Sequence, residues 1–309
     1  MRLLSLTFLK KTISIGNKII LPGFEGLSIY KVGKFFGRAM IDGALPSRAS
    51  AMAFSFFLAL FPAIIFIFSL IPFLPVENID VLILDQLDSL LPNSAYELSK
   101  ETIIDLANNQ RGSLLSFGFL MMVIFSSNGI NTMLEMFNQS VLTKKKRNFF
   151  QQWAIAISLM FILLFLMIIS SVLIIFSQLI IDLITDKQWV SGLITLWLLD
   201  IGRWIITLGF FYFSVSFIYF LGPVGETKWK FFSVGSTVAS LLIILFSLGF
   251  AYYVNHFGTY NKFYGSIGTL MVIMLWIYFN SLVLIFGFEL NASLARAKAK
   301  NQTLKLVNQ

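Results

Sequence analysis

The polar residues with the most regular spacing lie in the stretch "SSNGINTMLEMFN", where Asn128, Asn131, Glu135 and Asn138 follow one another at intervals of three, four and three. On a helix that spacing makes one continuous stripe, with Ser127 beside it. Amides and a carboxylate on one stripe can hold an ion or the polar head of an amphipathic molecule. The flanking sequence is apolar enough to lie in hydrocarbon, where such groups must face protein or water. One reading makes the stripe the wall of a path open to one side of a membrane. The other makes it an adhesive between helices, with Glu135 and Glu289 at the inner interface beside Arg48 or Arg296.

Other polar residues occupy apolar runs. Asp200 and Arg203 stand three apart in "LWLLDIGRWIITLGFF", close enough to pair on one helical face. If their span begins near Leu193, the pair lies about 10 to 15 Å into it. If it begins at Trp204, the 18 residues to Leu221 suffice to cross and the pair sits at the outer interface, the placement favoured here. There it would be a structural ion pair or the rim of a polar cavity. Further on, Asn280, Gly287 and Asn291 share a face, while Glu289 lies off it near the inner end. Ser233, Ser236, Ser240 and Ser247 form a seam of small residues suited to close helix packing. The candidate path residues are thus Asn128, Asn131, Glu135, Asn138, Asn280, Glu289, Asp200 and Arg203.

Composition narrows the chemistry. The chain of 309 residues has no cysteine and one histidine, His256, so disulfides, thiolate catalysis and most zinc chemistry are unsupported. No Gly-rich phosphate loop, metalloprotease motif or nucleophile motif occurs. His256, in "NHFGTYNKFYG", reads as an interfacial contact among aromatic neighbours. The expectation is a protein with no catalytic residues, no metal and no cofactor.

The elements that must position these residues are membrane helices. Hydrophobic residues make up 57% of the chain and charged residues 12%, about half the usual charged share of a soluble domain. Six apolar stretches reach the roughly 20 residues a bilayer requires: 49 to 73, 113 to 137, 153 to 181, 193 to 221, 231 to 254 and 264 to 290. Lysines and arginines cluster in the N-terminal segment, at "KKKR" (144 to 147), at Lys228 and Lys230, and in the tail; the alternate loops hold only Lys100, Arg111, Lys187 and Lys262. The asymmetry places both termini in the cytoplasm. The net charge of +8 is then chiefly a topology device, with "KKKR" as an anchor at anionic headgroups and nucleic acid not expected as a partner. No cleavable signal is read at the N-terminus.

Residues 1–48 are expected to be a cytoplasmic segment, 49–295 a single six-span domain and 296–309 a basic cytoplasmic tail. Residues 27–41, "LSIYKVGKFFGRAMI", place Lys31, Lys34 and Arg38 on one face and read as a helix lying in the inner interface. The acidic segment 76–112 reads as two short amphipathic helices broken at "LPNS", either a cap over an outer opening or a plain connection. Pro62 and Pro72 are expected to kink the first span.

The C-terminal half also carries a resemblance. "NKFYGSIGTLMVIMLWIYFNSLVLIFGFELNA" is similar to the YihY/BrkB family of bacterial inner-membrane proteins, as are "SRASAMAFSFFLALFPAIIFIFSLIP" at 47 to 72 and "RNFFQQW"; the likeness runs over roughly residues 35 to 295. "LGPVG" at 221 to 225 departs from the Pro-Asn often found there. The resemblance implies an all-α, polytopic inner-membrane protein linked to envelope and lipid homeostasis and to serum resistance. Family members were once labelled a ribonuclease, but no general acid and base beside a phosphate-binding surface is visible in these residues. The expected function is a transporter or handler of an envelope lipid or other amphipathic substrate, with membrane lipids as partners. The alternative is a non-catalytic scaffold that assembles envelope proteins through the acidic outer loop.

Overall fold

A computed structural model describes residues 27–42, 44–73, 110–140, 147–186, 192–224, 230–257 and 266–307. These form seven α-helices, with no strand among the described residues: α1 (Ile29–Asp42), α2 (Leu45–Leu70), α3 (Gly112–Asn138), α4 (Phe149–Asp186), α5 (Gly192–Leu221), α6 (Val234–Phe257) and α7 (Ser266–Val307). The fold is all-α. Six of the helices, α2 to α7, are long and apolar enough to cross a membrane. Each overlaps one of the stretches picked out by hydropathy, with ends that differ by up to a few residues at the start of α6 and the end of α2. In hydrocarbon a backbone can satisfy its N–H and C=O groups only within the segment, which forces these runs to be helical.

The helix ends differ instructively from expectation. Helix α2 runs through Pro62, but Pro72 falls beyond it in a 3-10 turn, Ile71–Phe73, so this proline follows the helix end instead of kinking the helix. Ala44, between α1 and α2, has a φ of 45°, a left-handed conformation that is costly for a residue with a Cβ. Helix α7 continues to Val307, so the basic tail is largely an extension of the last span. The acidic segment 76–109, the N-terminal residues 1–26, Lys144, Lys145, Lys146 and the side chain of His256 lie outside the described residues.

The chain divides into two compact units. The first comprises Met1–Arg48, Leu134–Ile244 and Leu282–Gln309. Its core is aromatic: the Phe137 and Phe288 rings stack with centroids 4.3 Å apart, and Tyr219 meets both edge-on at 5.7 Å. The Tyr219 hydroxyl donates to the Leu284 carbonyl at 2.6 Å, satisfying its buried polar end. Helices α6 and α7 cross at Gly235 and Gly287, where a Cβ on either would come within 2.2 to 2.7 Å of the other's carbonyl. Small residues let the two backbones meet, as the serine seam suggested.

In this unit α1 is packed against protein. Val32 is fully buried beside Leu27 and Ala297, with Phe35, Val234, Leu290 and Leu294 around them, and Phe36 meets Phe286 edge-on at 4.8 Å. The apolar face expected to lie in the interface is covered largely by α6 and α7. Lys31, Lys34 and Arg38 are left exposed.

The second unit comprises Ala49–Met133 and Leu245–Ser281. Here α2 packs along α3: a Cβ at Gly118 would lie 3.2 Å from the Phe66 Cα, and one at Gly129 would lie 3.0 Å from the Phe56 ring. Ser55 donates to Thr132 at 3.2 Å across the same pair of helices. Phe246 and Phe279 join α6 to α7 at 4.8 Å.

Candidate functional site

The stripe on α3 is not uniform. Asn128 and Glu135 are exposed, Asn131 and Asn138 half-buried, while Ser127 beside them is fully buried. The stripe is therefore most exposed at Asn128 and Glu135. Only at its last member does the structure bring in a described loop: Asn138 Oδ1 accepts the Val224 N–H at 3.0 Å, tying the end of α3 to the turn after α5. Asn280 spends one amide hydrogen on its own helix, at the Trp276 carbonyl 2.8 Å away, and its Oδ1 is buried without a hydrogen-bond partner among the described residues.

Glu289 is placed differently. It is 1% exposed and pairs with Arg48, 4% exposed, at 2.8 Å. Ser140 donates to the same carboxylate oxygen, and the Arg48 guanidinium also donates to Ser140 Oγ at 2.6 Å and to the Met136 carbonyl. Arg296, about two turns further along α7, lies 3.6 Å from the other carboxylate oxygen and donates to the Ser140 carbonyl. One carboxylate thus fastens the start of α2, the end of α3 and the second half of α7. A buried carboxylate with two guanidiniums and a hydroxyl around it is fixed in place. This is the adhesive reading for Glu289.

Arg147, the last residue of "KKKR", donates to the Leu221, Gly222 and Pro223 carbonyls at 2.9 to 3.0 Å. It caps the C-terminal end of α5, where carbonyls lack helical partners and a cation is favoured. Partial burial lowers its pKa from the usual arginine value. In this run the arginine is a helix cap, and a headgroup anchor remains a matter for the lysines. Gly222 belongs to the same turn: its N–H bonds to the Ile218 carbonyl at 2.9 Å, and a Cβ there would sit 2.5 Å from that oxygen. The described part of the "LGPVG" turn, 221 to 224, thereby closes α5 at Arg147.

Asn291 bridges α7 to the start of α6. Its side-chain oxygen accepts the Gly235 N–H and its amide donates to Ser233 Oγ, both at 2.8 Å. Ser233 in turn accepts the Ser236 N–H at 3.1 Å, the N-cap interaction of α6. Asp200 and Arg203 are both helical, on α5; the apolar window of that helix is Ile201–Leu221, which leaves Asp200 just outside it and Arg203 in its first turn. Arg203 is half-buried, and the Asp200 side chain lies outside the described ones.

Sequence reasoning missed Ser140 and the capping role of Arg147. Neither carries a local signal: Ser140 is one serine past a helix end, and Arg147 is one of four adjacent basic residues. Their roles exist only because residues 149 and 74 positions away are folded against them.

Comparison with known proteins agrees with this architecture. The family model described as Virulence factor BrkB matches residues 37–307. The YfkH protein of Bacillus subtilis (strain 168), which bears the name ribonuclease-like protein, is 30% identical over 253 residues, covering 82% of this chain and 90% of its own. No solved structure matches. With six apolar helices and a match over nearly its whole length, the chain is a multi-pass membrane protein and belongs to the BrkB family.

Proposed function

We propose that this protein moves or handles an amphipathic substrate, an envelope lipid or lipid-linked molecule, in the bacterial inner membrane with both termini in the cytoplasm. The observation that carries the reading is the exposure of Asn128 and Glu135 on a membrane helix whose other exposed side chains include Phe117, Phe119, Leu120 and Ile124. The Asn128 amide facing acyl chains would be costly. A headgroup or water meeting that stripe removes the cost. Asn131 and Asn138 extend the contact and Asn280 is a further candidate; Asp200 and Arg203 would stand at the far exit, and Glu289 serves by holding helix ends together. The cytoplasmic placement of the termini rests on the lysine and arginine asymmetry.

The reading is non-enzymatic. The relative's name invites a test for RNA hydrolysis, but no group of three or more His, Asp or Glu residues that could hold a metal occurs among the described residues, and Glu289 is enclosed by arginines. The second reading, an envelope assembly factor, places another protein on the same exposed stripe or on the acidic segment 76–112.

Proteoliposomes separate the two. Wild-type protein is expected to speed the passage of fluorescently labelled phospholipid between leaflets, and Asn131→Ala with Glu135→Ala is expected to slow it about tenfold or more, as loss of two headgroup contacts would. Wild-type protein that leaves lipid movement unchanged, together with full in vivo complementation by the double variant, refutes the transport reading.

A further inference from the structure

The basic face of α1 is unused by anything described so far. Its apolar side chains are committed to protein: Val32 to Ala297 and its neighbours, Phe36 to Phe286. Lys31, Lys34 and Arg38 point away from that contact and are exposed. The depth of this face follows from what α1 is packed on. Phe286 lies in the apolar part of α7, whereas Ala297 lies where α7 turns basic at Arg296, Lys298 and Lys300. A helix that touches both stands at the level where hydrocarbon gives way to headgroups. Two further features mark that level at the same end of this unit. Ile41, at the end of α1, is 84% exposed, and Phe150, at the start of α4, is 83% exposed, as apolar and aromatic side chains at a membrane boundary are.

We propose that the exposed face of α1 is a docking surface for anionic phospholipid headgroups, built from Lys31, Lys34 and Arg38. Three cations within two helical turns, held at headgroup depth by a rigid protein contact, complement a negatively charged lipid and do not distinguish a neutral one favourably. The helix backbone is accessible there too. Gly33 and Gly37 sit one turn apart beside Lys34 and Arg38, and a Cβ on either would meet nothing within 4 Å. Two glycines in a helix interior each cost up to about 1 kcal/mol relative to alanine; here they leave the flank of the basic face clear of side chains that would stand in a headgroup's way. The surface is independent of the stripe on α3 and of the transport reading.

The test uses the full-length chain in a neutral detergent, with phosphatidylglycerol or phosphatidylcholine added and retained lipid measured by native mass spectrometry. Phosphatidylglycerol is expected to be retained preferentially, less so as salt is raised. Lys31→Gln, Lys34→Gln and Arg38→Gln together should lower its retention about tenfold. Removing the same number of charges from Lys100, Arg111 and Lys187 should leave retention unchanged, and Lys31→Arg with Lys34→Arg should preserve it. The three glutamines replace exposed side chains, and an unchanged thermal midpoint confirms that they fold; the wild-type salt series stands even without them. Equal retention of the two lipids, phosphatidylglycerol retention unaffected by the triple glutamine variant, or a labelled RNA oligonucleotide bound by this face in place of lipid would each overturn the proposal.

Discussion

Taking away the Glu289 carboxylate strands Arg48 in a site that is almost wholly buried. Breaking a buried pair from one side costs about 3 to 5 kcal/mol, because the remaining charge has lost its counterion. Glu289→Ala is therefore expected to lower stability by that order in a denaturation series in detergent, and Glu289→Leu with Arg48→Met to recover most of it. A single alanine variant as stable as wild type would show that the pair contributes nothing. Arg147 gives a milder case. It is half-exposed, so Arg147→Gln should cost about 1 to 2 kcal/mol through loss of the bonds to the end of α5. Arg147→Lys should restore only part, since an ammonium cannot present the planar fork that reaches these carbonyls together. Asn128, exposed on α3, should by contrast tolerate alanine with little change in stability and register its loss only in function.

Helices in a bilayer gain nothing from hiding apolar surface against one another, so packing at crossings has to do the work. The crossing of α6 and α7 at Gly235 and Gly287 shows how closely. A methyl at Gly287 would come within 2.6 Å of the Ala239 Cβ and 2.7 Å of both the Gly235 carbonyl and the Tyr219 hydroxyl. Gly287→Ala is expected to destabilise by about 1 to 3 kcal/mol through forced separation of the helices. Gly249→Ala, further along α6 where a Cβ meets nothing within 4 Å, should be neutral or stabilising by up to about 1 kcal/mol. Equal thermal midpoints for the two variants would refute close packing at the crossing. The serine seam and the shared face of Gly287 and Asn291 were visible as spacing, yet spacing did not reveal that Asn291 reaches the N-cap of α6 through Ser233. That link needs two helices already in register.

At the scale of the whole molecule, topology is open to direct measurement because the chain contains no cysteine. Single replacements such as Gln110→Cys, before α3, and Asn148→Cys, before α4, introduce thiols at opposite ends of the spans. With the termini in the cytoplasm, an impermeant maleimide added to intact spheroplasts should label Gln110→Cys at once and Asn148→Cys only after permeabilisation. The reverse pattern would invert the assignment. This scheme depends on neither the substrate nor the two compact units, since it reads only the number and direction of crossings.

The amino-acid sequence determined the number of crossings and their approximate ends, because hydrocarbon thickness sets a minimum run length and the absence of water makes each run satisfy its own backbone. It also determined that α1 is two-faced, since basic and apolar residues separate on its surface. What it left open was which neighbour each face meets. Between a helix and lipid, and between a helix and another helix, the side chains are equally apolar, so hydropathy loses the contrast that marks a buried face in water. Tertiary structure alone turned the apolar face of α1 onto α6 and α7, left Asn128 exposed, and decided that Glu289, offered Arg48 or Arg296 as a neighbour, meets both, with Arg48 241 positions away. Such a pairing has no local signature, for it arises only when separate helices are brought together.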